Sequence, residues 1–336
     1  MFKQQYLIKS YKDFFTIVNQ IQKKEGQEIL WFRGHENISW RLLPSGIRDG
    51  VEFATRNGFR FSPRKISSCA NGQQVLLPYV KKTLEEFKKQ VTKSNLLSYP
   101  VDNDFEWLYL AQHHGIKTPL LDWSDRPDMA LYFATKNNHR VSVGLGNAEM
   151  QFNESQYVDD AAVVYVLLPG KLNAKSMFIY KGGEDITTPI PVTDENYTLF
   201  LNNLYENDFI THIYFCLTAP KFDYRINTQS GNFMWQGTDV QSIDSYIISQ
   251  EVLYRLIIPY CLIPDIQQQL KEEGITEDYV LGNSRKQTEL ERIAKEIQNE
   301  ADIDFKSQVE EITREYEEGI RNNKLGFLKE WYPLGI

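Results

Sequence analysis

Two side chains far apart in the sequence, Arg33 and Asp122, have the types that ligand chemistry needs. Arg33 stands in WFRGHENISWRLLPSGIR (residues 31–48), behind two aromatic residues and ahead of a glycine and a histidine. A guanidinium on a buried strand must meet an acid or an anionic ligand, because an unpaired buried charge is very costly. Asp122, in TPLLDWS, is the natural acid. A bidentate Arg33–Asp122 pair would tie two strands together. The same fork would equally hold a pyrophosphate or a ribose. Gly34 allows a close backbone approach in either case, and His35 is placed to work beside a ligand or to lie exposed in a loop. Asp122 could act as a general base or ribose anchor. Trp123 could stack on a base or fill the core, and Ser124 or Asp125 could line a site or cap a helix.

A second group lies later in the chain. Arg225, Gln229 and Phe233 recur every four residues and would share one face of an unbroken strand. Gly231 could insert a bulge that re-aims Gln229. His113 and His114 are adjacent, so only one can enter a site and the other faces away. Their spacing is not the three or four residues that place two metal ligands on one helix face, and no metal is expected. Glu251, in QEVLY, is an alternative acid.

The elements that must position these residues read as follows. A short strand at 5–9 precedes a helix at 10–24, with Ser10 as N-cap and Phe14, Ile17, Val18 and Ile21 at helical spacing. EILWFR (28–33) predicts a buried strand closed at Gly34. Residues 50–75 read as a loop or insertion, followed by an amphipathic helix over 78–94. A helix capped by Asp104 ends at Gly115, a strand spans 117–123, and a helix with Pro127 in its first turn runs to about 135. A polar loop is predicted over 138–160, a central strand over 161–168, and irregular chain over 170–208. Strands are predicted over 211–218, 225–235 and 254–259, then a helix over 264–273. From about 285 the chain turns charged and helical. The strands and helices do not alternate regularly, so the expected class is α+β: a mixed, largely antiparallel sheet with flanking helices and a helical C-terminal appendage. The expected division is one domain over 1–283 and an extension over 284–336.

WFRGH, LLPSGIR, EWLYLAQHHGIKTPLLDWSDRPDMALYFA and YRINTQSGNF together resemble the FRG domain family, named for its Phe-Arg-Gly motif, over about residues 29–283. Pro119 stands where that strand commonly carries arginine, and Met234-Trp235 replaces a more polar pair. The family tends to occur near genome-defence or mobile-element genes, which implies a phage-defence or toxin-like role. The order Arg33, then LLDWSDRPDMALYFA, then Gln229 is also distantly similar to ADP-ribosyltransferases. That likeness implies NAD as cofactor, transfer or hydrolysis at its N-glycosidic bond, and Arg33, Asp122 and Gln229 as the catalytic set. Gly34, His35, His113, Trp123, Ser124, Arg225 and Phe233 would then line the ligand. A glutamine replaces the acid that such enzymes place on the late strand. The alternative is a non-enzymatic binding or sensor module in which the motif residues are structural.

Composition narrows the partners. The chain has 336 residues, 42% hydrophobic and 24% charged, which is globular in kind. Its net charge of −8 argues against a strong grip on duplex nucleic acid or on an anionic membrane. Three cysteines without a CxxC pair suit free thiols in a reducing compartment. With no signal peptide and no membrane-length apolar run, the expected location is the cytoplasm. The C-terminal helices are the expected surface for a protein partner or a second copy.

Overall fold

The computed structural model describes residues 2–26, 28–47, 53–54, 60–61, 78–97, 99–137, 144–176, 186–206, 213–218, 220, 224–236, 242–282 and 285–321. Strand β1 (Gln4–Leu7) leads into α1 (Tyr11–Lys24), capped by the Ser10 hydroxyl, which accepts from the Asp13 amide. After β2 (Trp31–His35) come two short paired strands, β3 (Phe53–Ala54) and β4 (Arg60–Phe61). The rest of the expected 50–75 insertion lies outside the described residues. Helix α2 (Pro78–Ser94) is followed by α3 (Asp104–His113). Asn103, rather than Asp104, caps α3, in a capping box completed by Glu106. Helix α3 ends with Gly115 at φ +106, as its sequence predicts.

Strand β5 (Leu120–Ser124) runs into α4 (Pro127–Thr135). The expected loop over 138–160 contains a helix, α5 (Leu145–Ser155), ahead of β6 (Ala161–Leu167). The expected irregular region 170–208 holds α6 (Pro169–Ser176), the short β7 (Ile190–Pro191) and α7 (Thr198–Glu206). Strand β8 (Phe215–Thr218) is followed by α8 (Tyr224–Gln229) and β9 (Gly231–Trp235), where one strand over 225–235 was expected. Ser230, at φ +46, makes the turn between them. The Ser-Gly pair at 230–231 was the sequence signal for that break. The chain closes with α9 (Ser249–Val252), β10 (Leu253–Pro259), α10 (Ile263–Glu272), α11 (Glu277–Leu281) and α12 (Arg285–Arg321).

Eight strands form one mixed sheet in the order β1-β10-β6-β2-β5-β9-β8-β7, antiparallel except at its two edge pairs. With the helices flanking it, the class is α+β. Two apolar clusters cover the sheet. Phe14 of α1, Leu131 of α4 and Ile266 of α10 pack with β6 and β10 in one. Phe87 of α2 and Tyr109 of α3 pack with Phe233 and Trp235 in the other. Strand alternation divides β5 between them: Leu121 and Trp123 enter the first cluster and Leu120 the second. Leu290, Ile293 and Ile297 put the first turns of α12 into the second cluster as well. Among the described residues no helix is long and apolar enough to cross a membrane.

At the C-terminal end of α1, the Glu25 carboxylate receives Lys3, Lys171 at 2.6 Å and the Tyr254 hydroxyl, joining the ends of α1, β1, α6 and β10. Burial alone would raise its pKa. The hydrogen bonds from Lys171, Tyr254 and Lys3 outweigh burial and hold it at about 2.

Candidate functional site

Strands β2 and β5 are neighbours at the centre of the sheet, yet they pair in register at Phe32 and Ser124 alone, while β2 pairs with β6 along its whole length. Beyond Phe32 the two strands splay. A cavity of about 920 Å³ opens there, between the end of β2, the loop after it, β5, the start of β9 and the C-terminal end of α4.

Arg33 bridges the splay. Its Nη1 donates to the Asp122 carbonyl at 2.7 Å, so a guanidinium takes the place of a ladder hydrogen bond. Its Nε donates to His35 Nε2 at 3.0 Å. Because Nε2 accepts, the His35 proton sits on Nδ1 and points to the Trp40 carbonyl, 3.3 Å away. Arg33 and Asp122 do meet as an ion pair, but through one contact of 3.6 Å rather than a bidentate fork. The Asp122 carboxylate stays 50% exposed to the cavity, against 13% for Arg33. Gln112 orients it: Nε2 donates at 3.1 Å both to Asp122 Oδ1 and to the Leu120 carbonyl, and the Thr118 hydroxyl holds Gln112 Oε1.

This geometry makes Arg33 first a structural bridge. Arg33→Ala should lower stability by about 2–3 kcal/mol, the range for lost hydrogen bonds to a charged group, with little added from the half-exposed ion pair. Arg33→Lys should recover only a small part, because an ammonium cannot reach two acceptors in one plane. Urea denaturation checks both, and an alanine variant as stable as the parent would exclude the bridging role.

The ten residues that the resemblance implies as catalytic set and ligand lining all line this one cavity, in different ways. Gly34 does so with its backbone: a Cβ there would meet the Ala130 carbonyl of α4 at 1.9 Å, so the glycine serves helix packing. Trp123 is buried in the first cluster. The Ser124 hydroxyl donates to the Gln229 carbonyl at 2.5 Å and accepts from the Arg126 amide at 3.0 Å. Neither Ser124 nor Asp125 is the cap; Arg126 holds the N-cap position of α4 without a side-chain bond.

Arg225 and Gln229 lie on α8, and so do not share a strand face with Phe233. Arg225 donates to the Leu281 carbonyl at 2.7 Å and pairs with Glu291 of α12. Gln229 Nε2 donates to the Val280 carbonyl at 3.2 Å. Phe233 stacks on Tyr109, with ring centroids 4.3 Å apart and planes at 4°. His113 and His114 end α3, their rings nearly perpendicular, and only His113 reaches the cavity. Burial, then the charge of Arg225, pushes the His113 pKa down to about 3. Burial, then His113 and Arg225, pushes His114 down to about 2. Glu251 pairs with Lys175 at 2.5 Å and does not line the cavity.

The cavity also gathers residues that the sequence did not mark as candidates: Gln112, Trp40, Arg41 and Lys136. Trp40 and Arg41 belong to the same 31–48 stretch as Arg33, and their alternation of aromatic and basic types was the available signal. Lys136 carried none, because its place depends on where α4 ends against β2. Among the described residues, no group of His, Cys, Asp and Glu is arranged to hold a metal ion.

The family model for the FRG domain matches residues 28–142, which carry the 31–48 stretch and the block around Asp122. The YRINTQSGNF stretch lies beyond the match. No curated protein and no solved structure matches the chain.

Proposed function

From a chain that carries an FRG domain, whose Phe-Arg-Gly stretch lines a cavity at a split in the sheet, we propose a protein that binds a nucleotide-like small molecule of the NAD class. The observation that carries this reading is Asp122: a carboxylate half exposed to a cavity of about 920 Å³ and held in orientation by Gln112 and Arg33. Such a volume suits a cofactor-sized molecule. A fixed carboxylate is the usual acceptor for ribose hydroxyls.

The same carboxylate suits chemistry at the N-glycosidic bond. Breaking that bond sends its electron pair to nicotinamide and leaves a ribosyl oxocarbenium ion, which a nearby anion stabilises. Water or an acceptor group then adds to the ribosyl carbon and loses a proton. NAD consumption of this kind would serve a toxin-like role in defence. A non-catalytic sensor is the second reading, and a specific observation favours it: Arg33, Ser124, Arg225 and Gln229 all spend polar groups on internal bonds, leaving Asp122 as the motif carboxylate turned to the cavity.

Calorimetry with NAD up to millimolar concentration and chromatography for released nicotinamide test both. Binding without release supports the sensor; binding with release supports the enzyme. Asp122→Asn should weaken binding by about tenfold or more while the protein stays folded, since an amide still accepts from Gln112. Absence of both binding and nicotinamide release would sink the proposal.

A further inference from the structure

The two ends of the cavity differ in chemistry. Asp122 and Gln229 belong to the end built by β5 and α8. At the other end stand Trp40, Arg41 and Lys136, from the loop after β2 and the C-terminal end of α4. Trp40 is 53% exposed, a large apolar ring left on the wall of a cavity. It is not loose. Its carbonyl is held by His35, its amide donates to the Asn37 carbonyl at 3.1 Å, and two residues on, the Leu42 amide donates to Asp244. An exposed indole on an anchored backbone is a stacking surface for a planar ring.

Arg41 donates to the hydroxyls of Ser242 at 3.1 Å and Ser245 at 3.4 Å, and among the described residues it meets no carboxylate. Neutral hydroxyls position the guanidinium without neutralising it. The Lys136 ammonium lies 5.2 Å from the centre of the Phe133 ring and likewise meets no carboxylate among the described residues. Two acids stand near this end and neither is in reach of Arg41 or Lys136: Glu36 accepts from the Asn137 amide at 3.1 Å and Asp244 from the Leu42 amide at 3.2 Å. Arg41 and Lys136 thus face one cavity with neither in an ion pair among the described residues, in a chain of net charge −8.

Resting on the nucleotide reading of the same cavity, we infer that this end is a phosphate subsite, with Arg41 and Lys136 taking the phosphates and Trp40 carrying the base. The ligand is therefore a phosphorylated nucleotide rather than a free nucleoside. Its ribose lies toward Asp122 and its charge toward the α4 end.

The test is calorimetry of the parent protein and of Lys136→Gln, Arg41→Gln and Trp40→Leu with three probes: NAD, pyrophosphate and adenosine. Each cation variant should weaken NAD and pyrophosphate by about tenfold and leave adenosine unchanged. Trp40→Leu should weaken NAD and adenosine by about tenfold and leave pyrophosphate unchanged. Lys136→Gln removes a cation from the cavity wall and breaks no hydrogen bond, so it decides the matter should Arg41→Gln fail to fold. Pyrophosphate bound through Arg41 and Lys136 with no NAD binding would keep the phosphate subsite and overturn the nucleotide reading. NAD bound equally well by the parent and by Lys136→Gln would overturn the subsite and leave the nucleotide reading standing. A parent protein that binds neither overturns both.

Discussion

Gly34→Ala should lower stability by about 3 kcal/mol or more, or stop the chain folding. The added methyl carbon would lie 1.9 Å from the Ala130 carbonyl and 2.6 Å from the Ala134 amide. Both are backbone atoms of α4, so no side chain can swing aside. Either α4 moves off β2 as a unit or β2 bends, and each disturbs the same cluster, where Phe32, Ala130 and Ala134 are packed. The cavity should suffer with it, because Lys136 and Phe133 ride on α4. Gly146→Ala is the control: nothing lies within 4 Å of a Cβ there, and in helix α5 alanine should be neutral or stabilising by up to about 1 kcal/mol. Thermal melts of the two variants make the comparison. A Gly34→Ala protein that melts with the parent would mean that the contact between β2 and α4 is not tight.

Acidification should destabilise the fold from about pH 6.5 downward, earlier than ordinary carboxylate titration would. His113 and His114 are held neutral, with pKa values near 3 and 2 against an ordinary 6.5. Between those limits the unfolded chain binds protons that the native chain refuses, so stability rises with pH and falls as pH drops. Each histidine contributes a slope of about 1.4 kcal/mol per pH unit, or roughly 4 kcal/mol for the pair between neutral pH and pH 5. Glu25 acts in the same direction but lower, since its contribution is complete above about pH 4.5 and lost toward pH 2. Urea midpoints at pH 7.5, 6 and 5 should therefore fall steeply. His114→Leu should flatten the profile, because the His114 ring makes no hydrogen bond among the described residues and is only 4% exposed. A stability unchanged from pH 7.5 to 5 would show that both histidines take up protons within the fold.

How far the chain could be read before folding differs from element to element. Helix α1 was legible because Ser10 and the spacing of Phe14, Ile17, Val18 and Ile21 are local signals that burial merely completes. Strand β6 was legible as a continuous apolar run and β10 as the run YRLIIP, apolar but for Arg255 and Tyr254; both are buried at every position. Within the strand expected over 225–235, residues 225–229 are helix instead, because recurrence at a four-residue interval suits a strand as well as a helix. The choice was made by Ile226 in the second cluster and by the Ser124 hydroxyl on the Gln229 carbonyl. Helix α5 went unread because its sequence, LGNAEMQFNES, buries one residue, Ala148, and so has little apolar periodicity.

The sequence by itself determined the α+β class, the FRG-type stretch and ten of the residues that line one cavity, because residue type and short-range spacing carry that information. Which of those residues face a ligand was decided only by tertiary structure. Arg33 became a bridge because β2 and β5 part beyond Phe32, leaving the Asp122 carbonyl to be satisfied by a side chain. Asp122 became the exposed carboxylate because Gln112, from a different element, turns it to the cavity. Trp40, Arg41 and Lys136 joined the site because the packing of Gly34 against Ala130 brings the end of α4 beside the end of β2. A splayed strand pair and a helix seated on a glycine are relations between distant segments, and local sequence does not encode them.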